Sequence, residues 1–386
     1  MIAGPATGAG RMPPRRAAAV ARRVEAWFAS NRRALPWRLE PRDPWASLVS
    51  EIMLQQTQAA RVAERLPTFL ARFPTPAALA AADEHEVLAA WSGLGYYRRA
   101  RGLHACAKSL VERHAGATPP DVDSLRALPG VGAYTAGAVA SIVFGARTPI
   151  VDANVARVLL RLEGADALLG SAAATAWCWA NAERLVRAAA SPGALNEGLM
   201  ELGALVCTPS RTAGPRCGEC PLASLCRARA EGRQRELPAR AARPPRSEVH
   251  HAALIARDGA GRVLAQRRPP AGLWAGLWQA PTVESARRPT ASEVARLVRL
   301  LARDVSHSGG FLHATTHRLV RFDLWQASAP VQIEDGAPMR WISSSDLPGL
   351  ALATPHRRIL SEALRSREAS PARAGSVQRR GLRAGR

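Results

Sequence analysis

The chain has 386 residues, 47% of them hydrophobic and 22% charged, a balance that excludes a wholly disordered or fibrous protein and fits two or three domains. A net charge of +22 calls for a polyanionic partner, either nucleic acid or an acidic membrane surface. No apolar run reaches the roughly 18 residues of a membrane-spanning helix. Residues 1–20 are rich in Ala, Gly, Pro and Arg without a signal-like apolar core, which predicts a disordered arm on an untargeted, cytoplasmic protein. Residues 21–228 read as mostly helix. Asp43-Pro44 is a helix start, with Asp as N-cap and Pro at the first helical position. Trp45, Leu48, Val49, Ile52 and Met53 follow as an amphipathic stripe. Asp121 or Asp123 opens a short helix that stops at Leu128-Pro129-Gly130, and a further helix runs from Ala133 to Phe144. Residues 229–249 have the Arg/Pro-rich composition of a linker. Residues 250–366 read as α+β: two strands joined by a Gly-containing turn from His251, a helix from Ser292 to Ala302, and an alternating strand at Val320, Phe322 and Leu324. Residues 367–386 predict a disordered basic tail.

Four of the six cysteines, Cys207, Cys217, Cys220 and Cys226, fall within twenty residues. That spacing points to an intracellular metal site rather than a disulfide framework, and it leaves zinc and an iron–sulfur cluster both open. Cys220-Pro221 leans toward the cluster, because a Cys-Pro ending recurs in iron–sulfur runs. Leu128-Pro129-Gly130-Val131-Gly132 sits between two helices. Its glycines permit a tight hairpin, and the free N–H groups of the second helix suit a DNA phosphate as well as an ordinary helical connection. Two acids stand in largely apolar runs: Glu51 in Ser50-Glu-Ile-Met-Leu-Gln-Gln-Thr57, and Asp152 in Val151-Asp-Ala-Asn154. A carboxyl group in apolar surroundings has a raised pKa and can act as a general acid, while a second carboxylate can stabilise a cation. Taken alone, each also suits a solvated surface acid or, for Asp152, the N-cap of a helix from Ala153 to Leu160.

Together, and in this order, these runs resemble the MutY adenine DNA glycosylases of the helix-hairpin-helix superfamily. The resemblance also rests on Leu35-Pro-Trp-Arg38, Gly93-Leu-Gly-Tyr-Tyr97 and the run from Asn196 to Cys207. It covers residues 33 to 226 strongly and 250 to 364 weakly. It implies a multidomain protein: an all-α helix-hairpin-helix glycosylase domain with a [4Fe–4S] module, then an α+β Nudix-like domain for mismatch recognition. The implied activity is hydrolysis of the N-glycosidic bond of adenine mispaired with 8-oxoguanine or guanine in double-stranded DNA, by a monomer acting in base excision repair. Glu51 resembles the acid that protonates the adenine ring, and Asp152 the carboxylate that stabilises the oxocarbenium sugar. Asn154 is implied to orient that centre, with Tyr134 hydrogen-bonding nearby. Arg33, Leu35, Trp37, Arg38 and Glu197 are similar to residues lining an adenine pocket. Gln56 and Tyr96 resemble wedge residues, with Thr57 and Leu94 near the 8-oxoguanine and Gly130 and Gly132 on DNA phosphate.

The family also implies that Cys207, Cys217, Cys220 and Cys226 hold a [4Fe–4S] cluster, although nine residues separate the first two where relatives usually have six. Endonuclease III, which resembles this chain in hairpin and cysteines, carries a lysine on the hairpin's second helix. The matching position here is Tyr134, and the sole lysine, Lys108, lies elsewhere, so a monofunctional enzyme is expected. The C-terminal run Leu273-Trp-Ala-Gly-Leu-Trp-Gln-Ala-Pro281 resembles a Nudix turn, but no helix with paired glutamates follows it, so no pyrophosphohydrolase is expected. Thr316 and His317, in Thr315-Thr316-His317, stand where the family's 8-oxoguanine loop is often Phe-Ser-His. The competing readings are an endonuclease III-like pyrimidine-lesion glycosylase-lyase, a non-catalytic DNA-binding iron–sulfur protein and a nucleotide-pool hydrolase.

Overall fold

The computed structural model describes residues 10–209, 214–241, 244–297, 305–327 and 338–368. The chain divides into two units: residues 1–87 with 96–243, and residues 88–95 with 244–386. Among the described residues no helix is long and apolar enough to cross a membrane.

The first unit is helical. Its elements are α1 (Pro14–Asn31), a 3-10 turn (Pro36–Arg38), α2 (Pro44–Leu54), α3 (Ala59–Arg72), α4 (Pro76–Ala80), the start of α5 (Glu84–Ala90), α6 (Arg98–His114), α7 (Val122–Arg126), α8 (Ala133–Phe144), α9 (Ala153–Leu162), α10 (Ala172–Ala188), α11 (Pro192–Leu205) and α12 (Arg227–Ala230). Local chemistry places their starts. Asp43, Asp121, Asp152, Ser171 and Ser191 each cap a helix through the side chain, accepting backbone N–H bonds that the first turn leaves unmet. Asp121 rather than Asp123 is thus the cap of α7. One core is shared by α1, α9, α10 and α11, where Val20, Val24, Leu159, Leu185 and Leu199 are buried together. Apolar burial of this kind stabilises by about 25 cal/mol per Å2.

Two expectations about boundaries change here. The arm expected over residues 1–20 is helix from Pro14 onward; residues 1–9 lie outside the described residues. Met12 is fully buried, its N–H donates to Asn181 Oδ1 at 2.8 Å, and Ala17, Val20 and Val24 continue a helical stripe that the neighbouring arginines mask in the sequence. The linker expected over residues 229–249 is packed in its first half. Leu237 is buried, its carbonyl accepts from Arg161 Nε at 2.8 Å, and the carbonyl of Ala239 accepts from Leu169 N at 2.9 Å. At its other end β1 has begun by Ser247. The expected tail, 367–386, falls from residue 369 onward outside the described residues.

The second unit is α+β. A four-stranded sheet has the order β4 (Thr282–Ser285), β1 (Ser247–Ile255), β6 (Arg318–Ala327), β5 (Val305–Ala314), with β1 and β6 parallel; a three-stranded sheet has β3 (Trp278–Gln279), β2 (Val263–Arg267), β7 (Met339–Ile342). Two helices, α13 (Ala291–Leu297) and α14 (Thr354–Glu368), complete it. Alternation along β1 sends Ala253 and Ile255 into one core with Phe322 and Leu360, and Ala252 and Leu254 into another with Val294 and Trp325. The two strands expected from His251 onward are present, but they belong to different sheets. β1 is covered on both faces and paired along both edges, so β2 leaves it after the turn at Asp258–Arg262.

Candidate active site

Five elements of the first unit bring polar side chains together: α2, α8, α9, α11 and the 3-10 turn. Glu51 lies on the inward face of α2 and is 6% exposed. Its Oε2 is buried with no hydrogen-bond partner among the described residues. Burial, then the nearby charge of Glu197, raise its pKa to about 7; Asp152 adds to the rise, while a Tyr134 hydrogen bond and the Arg38 charge oppose it. Glu51 therefore exchanges its proton near neutrality, as a general acid must.

Asp152 caps α9. Its Oδ1 accepts from Val155 N at 2.7 Å and its Oδ2 from Asn154 Nδ2 at 2.8 Å. Burial raises its pKa, and these two donors oppose the rise. The capping alternative is thus correct as geometry, and it leaves the carboxylate in the site. Beside it opens a cavity of about 240 Å3, lined by Val151, Ala156, Leu160, Ala174 and Cys178 among others. Asn154 is itself held, because its Oδ1 accepts from Arg157 Nη2 at 2.8 Å. Arg157 also donates to the carbonyls of Cys207 (2.7 Å) and Gly203 (2.7 Å). Only glycine fits at 203: a Cβ there would lie 2.6 Å from Asn154 Cβ, so α11 can press directly on the start of α9.

Tyr134 is the second residue of α8, and its hydroxyl donates to Met200 Sδ at 2.9 Å. Burial and the surrounding carboxylates push its pKa well above 10. The hairpin Leu128–Gly132 delivers it. Gly130 has φ +77° and meets α6 at Gly102, where an added Cβ would lie 3.2 Å from the Gly102 Cα. Gly132 is the N-cap of α8. Gly130→Ala should therefore destabilise the protein by about 1 kcal/mol or more, because it combines a left-handed backbone with a backbone clash. Denaturant unfolding checks this, and an unchanged midpoint would remove the argument.

Arg33, Arg38, Arg42, Glu197 and Glu201 form an ion-pair network. Arg33 holds Glu201 through Nε and Nη2, each at 2.8 Å. Arg38 donates Nε to Glu197 Oε1 at 2.8 Å and Nη1 to Glu201 Oε1 at 3.1 Å. Arg42 donates Nη2 to Glu197 Oε2 at 2.8 Å. Burial alone would raise the pKa of Glu201, yet hydrogen bonds from Arg33 and Arg38 bring it down to about 2. Trp37 is buried and Leu35 half-buried beside them. Glu201, Arg42, Met200 and Arg157 are absent from the sequence-derived set. The signal for Glu201 was its i, i+4 spacing from Glu197 on α11.

The residues expected on DNA are more dispersed. Gln56 is exposed with φ +56°, and Tyr96 is 41% exposed with φ +47°. Arg99 joins their loops, with Nη2 3.0 Å from Thr57 Oγ1 and its guanidinium 5.5 Å from the centre of the Tyr96 ring. Leu94 is buried and clusters with the second unit. Thr316 and His317 are exposed at the β5–β6 loop, where Thr315 and Arg318 close the turn. Lys108 is exposed on α6, away from the hairpin in sequence. In the second unit, Glu284 pairs with Arg268 and Glu293 with Arg287.

The four cysteines are free and half-buried. Burial and then the charge of Cys207 raise the pKa of the Cys217 thiol. Cys226 responds to Cys207 and Cys217, and Cys220 to all three others. Arg161 donates to Cys207 Sγ at 3.2 Å. Among the described residues no three His, Cys, Asp or Glu side chains form a group tight enough for one metal ion. Arg211, in the long spacer, lies outside the described residues.

A helical hairpin beside a buried acid on α2 and a second carboxylate at the start of α9 is the arrangement of a DNA base-excision glycosylase. The chain matches the family model described as "HhH-GPD superfamily base excision DNA repair protein" over residues 49–177 and a NUDIX domain model over residues 252–362. It is 34% identical to the human adenine DNA glycosylase, over 86% of this chain and 72% of that one. It is 46% identical to the adenine DNA glycosylase of Mycobacterium tuberculosis, over 51% of this chain and 64% of that one. A solved thermostable thymine-DNA glycosylase superposes with a TM-score of 0.48 at 28% identity, covering 55% of this chain and 95% of its own. The chain belongs to the adenine DNA glycosylase family of base-excision repair enzymes.

Proposed function

We propose that the enzyme removes adenine mispaired with 8-oxoguanine or guanine in double-stranded DNA, as a monofunctional glycosylase. The observation that carries the chemistry is Glu51: a buried carboxyl with pKa about 7 and an unpartnered Oε2. Protonated Glu51 gives its proton to the flipped adenine, which makes the base a neutral leaving group. Positive charge then builds on the sugar, and ionised Asp152, oriented by Asn154, stabilises it. After the C1′–N bond breaks and adenine departs, the Glu51 carboxylate accepts a proton from a water whose oxygen bonds to C1′, leaving an abasic site. Tyr134 hydrogen-bonds within this centre, and Arg33, Leu35, Trp37, Arg38 and Glu197 line the base pocket. Gln56 and Tyr96 fill the opened stack, with Thr57 and Leu94 near the opposing base, and the backbone around Gly130 and Gly132 takes a phosphate. Thr316 and His317 read the 8-oxoguanine.

Cys207, Cys217, Cys220 and Cys226 would hold the [4Fe–4S] cluster. Their donor chemistry fits it: four thiols within electrostatic reach of one another, with Arg161 and Arg229 offsetting negative charge at Cys217. Bound there, the cluster ties the four-cysteine loop into one rigid module. Purified protein should show visible iron–sulfur absorbance that is lost on Cys207→Ser; a zinc-loaded, colourless protein would refute the assignment.

Single-turnover reactions on A:8-oxoguanine, A:G and thymine-glycol duplexes, followed by alkali, test the whole reading. The expected result is adenine release with strand breakage only after alkali. Cleavage confined to the thymine-glycol duplex would instead favour a pyrimidine-lesion lyase. Borohydride should trap no protein–DNA adduct, because Tyr134 has no amine; efficient trapping would overturn the monofunctional assignment.

A further inference from the structure

The loop between the 3-10 turn and α2 carries one residue that the reaction outlined above does not use. Arg42 stands one position before Asp43, the cap of α2, and its side chain is 11% exposed although it leaves from a surface loop. All three of its donor groups are committed. Nε donates to Glu40 Oε1 at 2.9 Å, Nη1 to the Trp37 carbonyl at 3.2 Å, and Nη2 to Glu197 Oε2 at 2.8 Å.

The partition of charge in this network is uneven. Arg33 is spent wholly on Glu201, and Arg38 is divided between Glu201 and Glu197. Glu197 therefore owes the partner of its second oxygen to Arg42. A carboxylate that accepts from arginines on both oxygens is fixed in plane, and its remaining lone pairs are oriented acceptors.

We propose that Arg42 is a positioning residue that sets the specificity of the base pocket for 6-aminopurines: by fixing Glu197 as an oriented, acceptor-only carboxylate, it favours a base that offers an amino group and disfavours one that offers a carbonyl. This rests on the adenine-excision reading above. A fixed acceptor rewards the exocyclic N–H of adenine, whereas a 6-oxo purine sets oxygen against oxygen and a purine lacking the group leaves the acceptor unmet. The same fixation reaches the acid. Glu51 is faced by Glu197 from α11, Tyr134 from α8, Asp152 at the start of α9 and Arg38 from the 3-10 turn. Removing Arg42 leaves the charge of Glu197 less compensated, so Glu51 holds its proton to higher pH.

The test is single-turnover excision from duplexes that differ only in the target base, adenine or purine without the 6-amino group, over a range of pH. The variants are Arg42→Met and Arg42→Lys. Arg42→Met should lower the adenine-to-purine rate ratio by about tenfold, the scale of a charge-assisted contact, and should move the alkaline limb of the adenine profile to higher pH. Arg42→Lys, which retains the charge but not the fork, should return the limb toward wild type while recovering the ratio only in part. A purely structural role would depress both substrates equally and leave the limb in place; that result in folded Arg42→Met overturns the proposal. Wild-type protein that releases no adenine would remove the proposal together with the function it rests on, so the two failures are distinguishable.

Discussion

Glu51→Gln should reduce single-turnover adenine excision by on the order of 100- to 10,000-fold, the range spanned by loss of a positioned general acid. Glutamine fills the same space on α2 and adds no charge to a buried site, so mismatch binding should survive. Loss of excision together with loss of duplex binding would show that the residue serves the fold rather than the chemistry. In the wild type the active form is the protonated acid, so the rate should fall as pH rises through about 7. The same shift has a stability consequence whose sign is fixed. The folded protein keeps the Glu51 proton over a range, from the ordinary carboxyl value near 4.5 up to about 7, where the unfolded chain has lost it. Ionising this group therefore costs stability progressively across that window and fully above it. Glutamine does not ionise. The melting temperature of Glu51→Gln relative to wild type should thus rise between pH 5 and pH 8, and a constant difference would mean that Glu51 is not buried as described. In the proposed role, Glu51 is a side chain that the fold would be more stable without above neutral pH.

Much of this site was legible because its parts are local. Asp43-Pro44, the two-glycine hairpin and Val151-Asp-Ala-Asn154 each specify a cap or a turn within a few residues, and the helices begin where those signals stand. The fold class was legible for the same reason, since helical and strand periodicities change across the Arg/Pro-rich segment. What escaped the sequence depends on distant neighbours. Met12 and Val20 sit among arginines and prolines, and only the faces of α9 to α11 reveal them as core. The segment at Leu237 looks like linker until Arg161 is seen to donate to its carbonyl across 76 positions. Arg42 and Glu201 look like surface charges in a strongly basic chain. Arg42 pairs with Glu197 and Glu201 with Arg38, so the segment before α2 and the middle of α11 must meet, and no local pattern encodes that meeting. The roles of Thr316 and His317 stay at the level of resemblance: both side chains are exposed in the β5–β6 turn that Thr315 and Arg318 close.

Asp152→Asn separates two duties of one side chain. As an N-cap, Asp152 accepts from Val155 N, and asparagine performs that duty almost equally well. Helix α9 should therefore keep its start, and with it the packing of α9 against α11 and α1. As the partner of a developing cation, Asp152 must be anionic. Burial raises its pKa, while Val155 N, Asn154 and Arg157 favour the charged form. The side chain is thus supplied with enough donors to ionise inside a largely apolar wall, where a charge is felt more strongly than in water. Replacing it with a neutral amide removes that field at the sugar while leaving the cap. The expected result is a melting temperature close to wild type and excision slowed by roughly 100- to 1,000-fold. The substituted amide also sets an N–H2 group toward Asn154, whose own Oδ1 is occupied by Arg157, so Asn154 must turn to accept it. A rate within tenfold of wild type would reduce Asp152 to a helix cap. A large fall in melting temperature would show that cap and charge are inseparable. Loss of rate at unchanged stability is the outcome that places Asp152 opposite the forming oxocarbenium ion, with Glu51 on the departing base.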